Sequence, residues 1–140
     1  MKQPTPTDQL PELMFALLRY VKRELSREEL NVPSWLHLET LRFVEEGKSP
    51  AMHELASYLR VQAPTATGLV AALVKEGFLE RTKVADDRRR VELRVTTKGK
   101  ACLKEAAQKR TTAFARVVSG LSVKDRKEFA RLISIITRIP

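Results

Sequence analysis

The run Leu79-Glu-Arg-Thr-Lys-Val84, Ala85-Asp-Asp-Arg-Arg-Arg90, Val91-Glu-Leu-Arg-Val95, Thr96-Thr-Lys-Gly99 decides how the rest of the chain is read. Its two flanks alternate apolar with polar residues, the period of a half-buried β-strand. Val91, Leu93 and Val95 fall on one face, Glu92 and Arg94 on the other. Between the flanks the pattern predicts a polar tip carrying three consecutive arginines, Arg88, Arg89 and Arg90. The expectation is a short two-stranded ribbon with a basic end.

Helical spacing surrounds this ribbon. Leu10, Leu13, Met14, Leu17, Leu18, Val21 and Leu25 form one stripe, predicting a first helix from Thr7 to about Leu30. Asn31-Val-Pro-Ser34 ends it, because the residue before a proline avoids helical geometry. Ser34 is the expected cap of a second helix, Trp35 to about Glu46, stopped by Gly47. Ser49-Pro50 reads as the cap and first turn of a third helix ending at Leu59. Arg60 to Ala63 reads as a tight turn, and a fourth helix follows from about Pro64 to Glu76. After the ribbon, Thr96 or Thr97 caps a fifth helix that runs to about Ser119. Ser122 caps a sixth, with Phe129, Leu132, Ile133, Ile136 and Ile139 on one stripe.

Residues 50–76 satisfy the needs of a helix-turn-helix: two short helices, a tight turn, and a second helix with one face in the core. Leu55 and Ala56 supply the inner face of the first. Ala66, Leu69, Val70, Leu73 and Val74 recur at helical spacing in the second. Its other face holds Thr65, Thr67, Gly68, Ala71, Ala72 and Lys75, small enough to lie deep in a DNA groove. Gln62, Thr65 and Thr67 stand where base edges would be met, and first-turn amides favour phosphate. This face carries no arginine, although arginine to guanine is the commonest specific contact. The reading is therefore weak direct readout, with phosphates and DNA shape supplying much of the affinity. A basic ribbon after such a unit is a wing, its arginines Arg88, Arg89 and Arg90 placed to reach phosphates or a narrow minor groove.

The predicted fold class is mainly α with a small β-hairpin wing: a winged helix-turn-helix with N- and C-terminal dimerisation helices. The 140 residues are expected to form a single domain, 1–140. Its winged-helix lobe spans about 34–99, and its dimerisation helices about 7–31 and 97–139. The terminal stripes are more apolar than a monomer of this size needs, so a second copy is expected to cover them. Composition agrees: 43% hydrophobic and 31% charged residues exclude wholesale disorder. Residues 1–78 hold nine Lys/Arg against ten Asp/Glu, and residues 79–140 hold seventeen against seven. The net charge of +9 thus sits in the ribbon and beyond, where a polyanion is the expected partner. No run reaches the roughly 20 apolar residues of a membrane span. The N-terminus lacks the apolar stretch of a signal peptide, and the single cysteine fits a reducing compartment, so a cytoplasmic location is expected.

The chain resembles the MarR family of winged-helix regulators. The resemblance rests on Glu54-Leu55-Ala56, on Pro64-Thr65-Ala66-Thr67, and on Leu69-Val70 followed by Leu73-Val74-Lys75-Glu76-Gly77-Phe78-Leu79-Glu80-Arg81. It continues through Asp87-Arg88-Arg89 and Leu93-Arg94-Val95-Thr96-Thr97-Lys98-Gly99. It implies a homodimer held by its terminal helices on a pseudo-palindromic operator of double-stranded DNA. Each recognition helix would enter a major groove and each wing a minor groove. It also implies a repressor released by a small aromatic ligand, with Trp35 and His37 nearest the place where relatives bind effectors. Gly68 and Ala72 depart from the polar or basic residues common at these positions, and His37 from a common glutamine.

Other constellations are missing. His37 and His53 have no partners at metal-ligand spacing, and no nucleophile motif or glycine-rich phosphate loop is present, so neither enzyme activity nor a cofactor is expected. Trp35 is read as core or interface. Cys102, between Lys100 and Lys104 in the first turns of a helix, is read as an inert, half-buried thiol. Two rival readings remain: an architectural protein binding DNA by shape, and a winged-helix protein-interaction module.

Overall fold

The computed structural model describes residues 6–28, 34–47, 51–84 and 87–138. In chain order the elements are α1 (Pro6–Ser26), α2 (Trp35–Gly47), α3 (Met52–Leu59), α4 (Ala63–Lys75), β1 (Leu79–Val84), β2 (Asp87–Val95), α5 (Thr97–Val117) and α6 (Val123–Ile136). The expected class, mainly helical with a small hairpin, is what forms. The chain divides into two compact units: Leu30–Gln108, and Met1–Glu29 together with Lys109–Pro140.

The first unit is organised by the periodicities of its sequence. Leu41 and Val44 of α2, Leu55 and Ala56 of α3, and Ala66, Val70 and Leu73 of α4 point into one core. Phe78, Leu79, Leu93 and Val95 close it from the ribbon, and Cys102 from α5. Burying each of the large aliphatic side chains contributes about 2 kcal/mol. Polar ties fix α3 against α2. The Tyr58 hydroxyl donates to Glu39 Oε2 at 2.8 Å, its ring stacks on Phe43 at 4.5 Å, and Arg42 lies 3.5 Å from Glu39 Oε1. The hydrogen bond to the Glu39 carboxylate, then burial, raises the Tyr58 phenol above its ordinary value.

Three boundaries differ from expectation. Helix α1 ends at Ser26, not near Leu30: the Ser26 hydroxyl donates to the Lys22 carbonyl, and the next amides turn back three residues rather than four. Helix α3 begins at Met52 with Ala51 as its cap, where the Glu54 carboxylate accepts the Ala51 N–H at 2.9 Å. The expected Ser49-Pro50 start lies outside the described residues. The turn before α4 is shorter, because Ala63 already belongs to the helix. Arg60 takes the left-handed conformation (φ 53°), so that Val61 N–H reaches back to the Ala56 carbonyl.

In the second unit an ion cluster ties α1 to α5. Glu24 is only 2% exposed; its Oε2 accepts from Arg116 Nε and from Arg27, each at 3.0 Å. Arg116 also donates to the Glu24 carbonyl and to Glu28. Such a cluster fixes geometry more than it adds stability, because desolvation offsets the Coulombic gain. Ser122 caps α6 as expected, accepting the Asp125 N–H. Helix α6 buries no residue, however: Leu132 and Ile133 are exposed, and Ile136 is 64% exposed. Leu10, Leu13, Met14, Phe15 and Leu18 of α1 are exposed too, with Leu17 and Phe129 intermediate. No helix among the described residues is long and apolar enough to cross a membrane.

Candidate nucleic-acid interface

Helix α4 separates its two faces cleanly. Ala66, Val70 and Leu73 are buried, whereas Thr65, Thr67, Gly68, Ala71 and Lys75 are exposed. A Cβ added to Gly68 would meet nothing within 4 Å, so the outer face is open there. Gln62 is the N-cap in extended conformation (φ −72°, ψ 151°) and is exposed. Its side chain makes no capping bond and so does not compete with an outside anion for the first-turn amides. The Thr67 hydroxyl donates to the Ala63 carbonyl at 3.0 Å, which leaves its lone pairs and methyl group on the open face.

The ribbon pairs antiparallel with Leu79 opposite Val95, Arg81 opposite Leu93 and Lys83 opposite Val91. Register then breaks: Val84 pairs with Asp87. Arg88, Arg89 and Arg90 therefore fall in the break on strand β2, not at the tip where the alternation placed them. The turn residues 85–86 and the arginine side chains lie outside what the structure describes. Arg81, Lys83 and Arg94 are exposed along the ribbon and add basic groups to its surface.

The C-terminal end of α4 is held by the start of α5. Gly77 takes φ +80°, Phe78 N–H donates to the Leu73 carbonyl and Gly77 N–H to Val74, the closure that needs a left-handed glycine. The Thr96 hydroxyl donates to the Gly77 carbonyl at 2.6 Å and accepts the Gly99 N–H at 3.1 Å, so Thr96 caps α5. A Cβ on Gly99 would overlap the Phe78 carbonyl oxygen. The sequence carried a signal for this contact: glycine in the first turn of a helix is costly there unless something approaches closely.

Trp35 is not core. It opens α2 and is 64% exposed, because the buried stripe of that helix runs through Thr40, Leu41 and Val44. His37 is half-buried, with its Nδ1 2.9 Å from the Ser34 hydroxyl. A cavity of about 350 Å³ at the base of the ribbon is lined by Val44, Glu45, Leu93, Val95 and Lys100, and not by Trp35 or His37. Among the described residues no group of His, Cys, Asp and Glu is placed to hold a metal ion. Cys102 is buried rather than half-buried; burial, then Glu105, pushes its thiol up despite Lys98.

Two short helices in a tight turn, an open-faced second helix and a basic ribbon define a winged helix-turn-helix protein. Residues 33–91 match the profile of the MarR family. It is 29% identical over 80 residues to the HTH-type transcriptional repressor YetL of Bacillus subtilis, a match covering 57% of this chain and 48% of that one. The match thus spans about half the length of that relative. The fold is similar to that of an S. aureus MepR mutant bound to an oligodeoxyribonucleotide: TM-score 0.65, 18% identity, 99% of this chain and 100% of that one. It is also similar to the Mycobacterium tuberculosis MarR family protein RV2887 in complex with salicylic acid: TM-score 0.67, 21% identity, 96% and 98% of the two chains.

Proposed function

We propose that this chain is a dimeric, sequence-specific, DNA-binding transcriptional regulator, acting as a repressor in the cytoplasm and not as an enzyme. The observation that carries the reading is the open outer face of α4, built of Thr65, Thr67, Gly68 and Ala71 over a fully buried Ala66, Val70 and Leu73. It supports entry of α4 into a major groove, with Gln62, Thr65 and Thr67 at base edges and Lys75 on phosphate. Arg88, Arg89 and Arg90, in the register break of β2, are the proposed minor-groove and phosphate contacts. Replacing all three with alanine is expected to weaken DNA binding, flattening the slope of log K against log salt by ~0.9 for each phosphate left without its arginine. An unchanged slope and affinity in the folded variant would remove the wing from the interface.

The dimer is proposed from the exposed stripes of α1 and α6. Leu17, Phe129, Ile133 and Ile136 lie along faces too apolar to stay in water on a soluble monomer. Light scattering at micromolar concentration is expected to give twice the chain mass; a stable monomer contradicts the assignment. A small aromatic effector is proposed by likeness to the salicylic acid complex of RV2887, and Trp35 and His37 are its proposed contacts. The exposure of Trp35 supports an aromatic surface that awaits a ligand or a second copy. The bare outer face of α4 favours one second reading, an architectural protein that binds duplexes by shape. The preference for one sequence over random DNA separates the two.

A further inference from the structure

The end of the reading helix is gripped by one charged side chain from another element. Lys98, in the first turn of α5, donates from Nζ to the carbonyl of Glu76 at 2.6 Å, and Glu76 is the C-cap of α4. The same ammonium lies 4.4 Å from the centroid of the Phe78 ring. A cation there meets the negative end of the α4 dipole and an unfilled terminal carbonyl, and the ring face below it is also attractive to positive charge. Its neighbours hold the same turn: Thr96 bonds the Gly77 carbonyl, and Gly99 packs against the Phe78 carbonyl with no room for a Cβ. Thr96 and Gly99 fix the ribbon end of this turn. Lys98 alone of the three reaches the helix cap itself.

We infer that Lys98 is a positioning residue for DNA reading, a latch that sets the angle of α4 through the Glu76 carbonyl rather than a phosphate contact of its own. The inference rests on the proposal that α4 reads the major groove. A helix docked by a few polar contacts at its N-terminal end is sensitive to the hold on its C-terminal end. A small rotation there displaces Thr65 and Thr67 from base edges while leaving backbone charges near the phosphates. Losing the latch therefore costs discrimination between sequences more than general affinity.

The test compares the full-length parent with Lys98→Met and Lys98→Arg. Each is titrated with a preferred duplex selected from a random pool and with a random duplex, over a range of salt. Amide exchange at Gly77 and Phe78 is measured without DNA. For Lys98→Met the expected result is about tenfold weaker binding to the preferred duplex, unchanged binding to the random one, an unchanged salt slope and faster exchange at both amides. Lys98→Arg, which keeps the cation, is expected to recover most of the preference. Equal losses on both duplexes with a slope flattened by ~0.9 would make Lys98 a phosphate contact and overturn the latch. So would unchanged preference and unchanged exchange. A parent that binds no duplex defeats the DNA-binding reading instead, and the exchange rates still decide whether Lys98 holds the turn.

Discussion

Replacing Gly99 with alanine should destabilise the Leu30–Gln108 unit by about 3 kcal/mol, the cost of overpacking against atoms that cannot move aside. The new methyl would overlap the Phe78 carbonyl oxygen and sit 2.6 Å from Val95 Cγ1. That carbonyl is fixed backbone: it accepts the Thr96 N–H at 3.1 Å and lies 3.2 Å from the Thr96 hydroxyl. Relief would require moving the first turn of α5 away from the ribbon, breaking the Thr96 contacts that join them. Urea unfolding of parent and variant measures the difference. A loss below about 0.5 kcal/mol, the range of ordinary surface substitutions, would mean that the close approach is not a feature of the folded protein.

Gly68→Leu should separate folding from binding. Nothing lies within 4 Å of a Cβ at this position, the residue is exposed, and its backbone is helical. Leucine is a better helix former than glycine by roughly 0.8 kcal/mol, so the variant should be at least as stable as the parent. Its affinity for DNA should nevertheless fall by about a hundredfold on every sequence, because the side chain would hold α4 away from the groove floor. Titration with preferred and random duplexes, beside an unfolding curve, checks both halves. Parental affinity in the folded variant would mean that this face of α4 does not enter the groove.

The parts of the fold that the sequence made legible are those written as periodicity. The stripe from Ala66 to Val74 is buried at Ala66, Val70 and Leu73 because apolar residues at three- and four-residue spacing must share a face. Leu93 and Val95 are buried and Arg94 exposed for the corresponding reason in a strand. Contacts between distant positions were not written that way. Alternation predicts a ribbon but not where its register breaks, so Arg88, Arg89 and Arg90 moved from the tip to strand β2. Lys98 and Glu76 are 22 residues apart, and nothing in the spacing of either announces the other. Gly99 was the exception that a physical reading can catch, since glycine in the first turn of a helix is unfavourable without a close neighbour.

Trp35, read as core or interface, lies outside the core, which leaves the interface half of that reading. A large aromatic is normally read as core, because burying it is worth more than burying any aliphatic residue. At the first position of α2, however, it lies off the stripe that Leu41 and Val44 define. The candidate reading face was legible to the extent that its residues are those left over from the core of α4. What those residues touch depends on a partner molecule, which intrachain packing does not encode.

Sequence-specific recognition is the central claim, and the ratio of affinities for two duplexes tests it most directly. A preferred duplex is selected from a random pool by the full-length protein, then titrated at physiological salt against a random duplex of equal length. The preferred duplex is expected to bind at least ~10³ times more tightly. Equal affinity for the two would contradict sequence-specific recognition, leaving a protein that holds DNA by charge and shape alone.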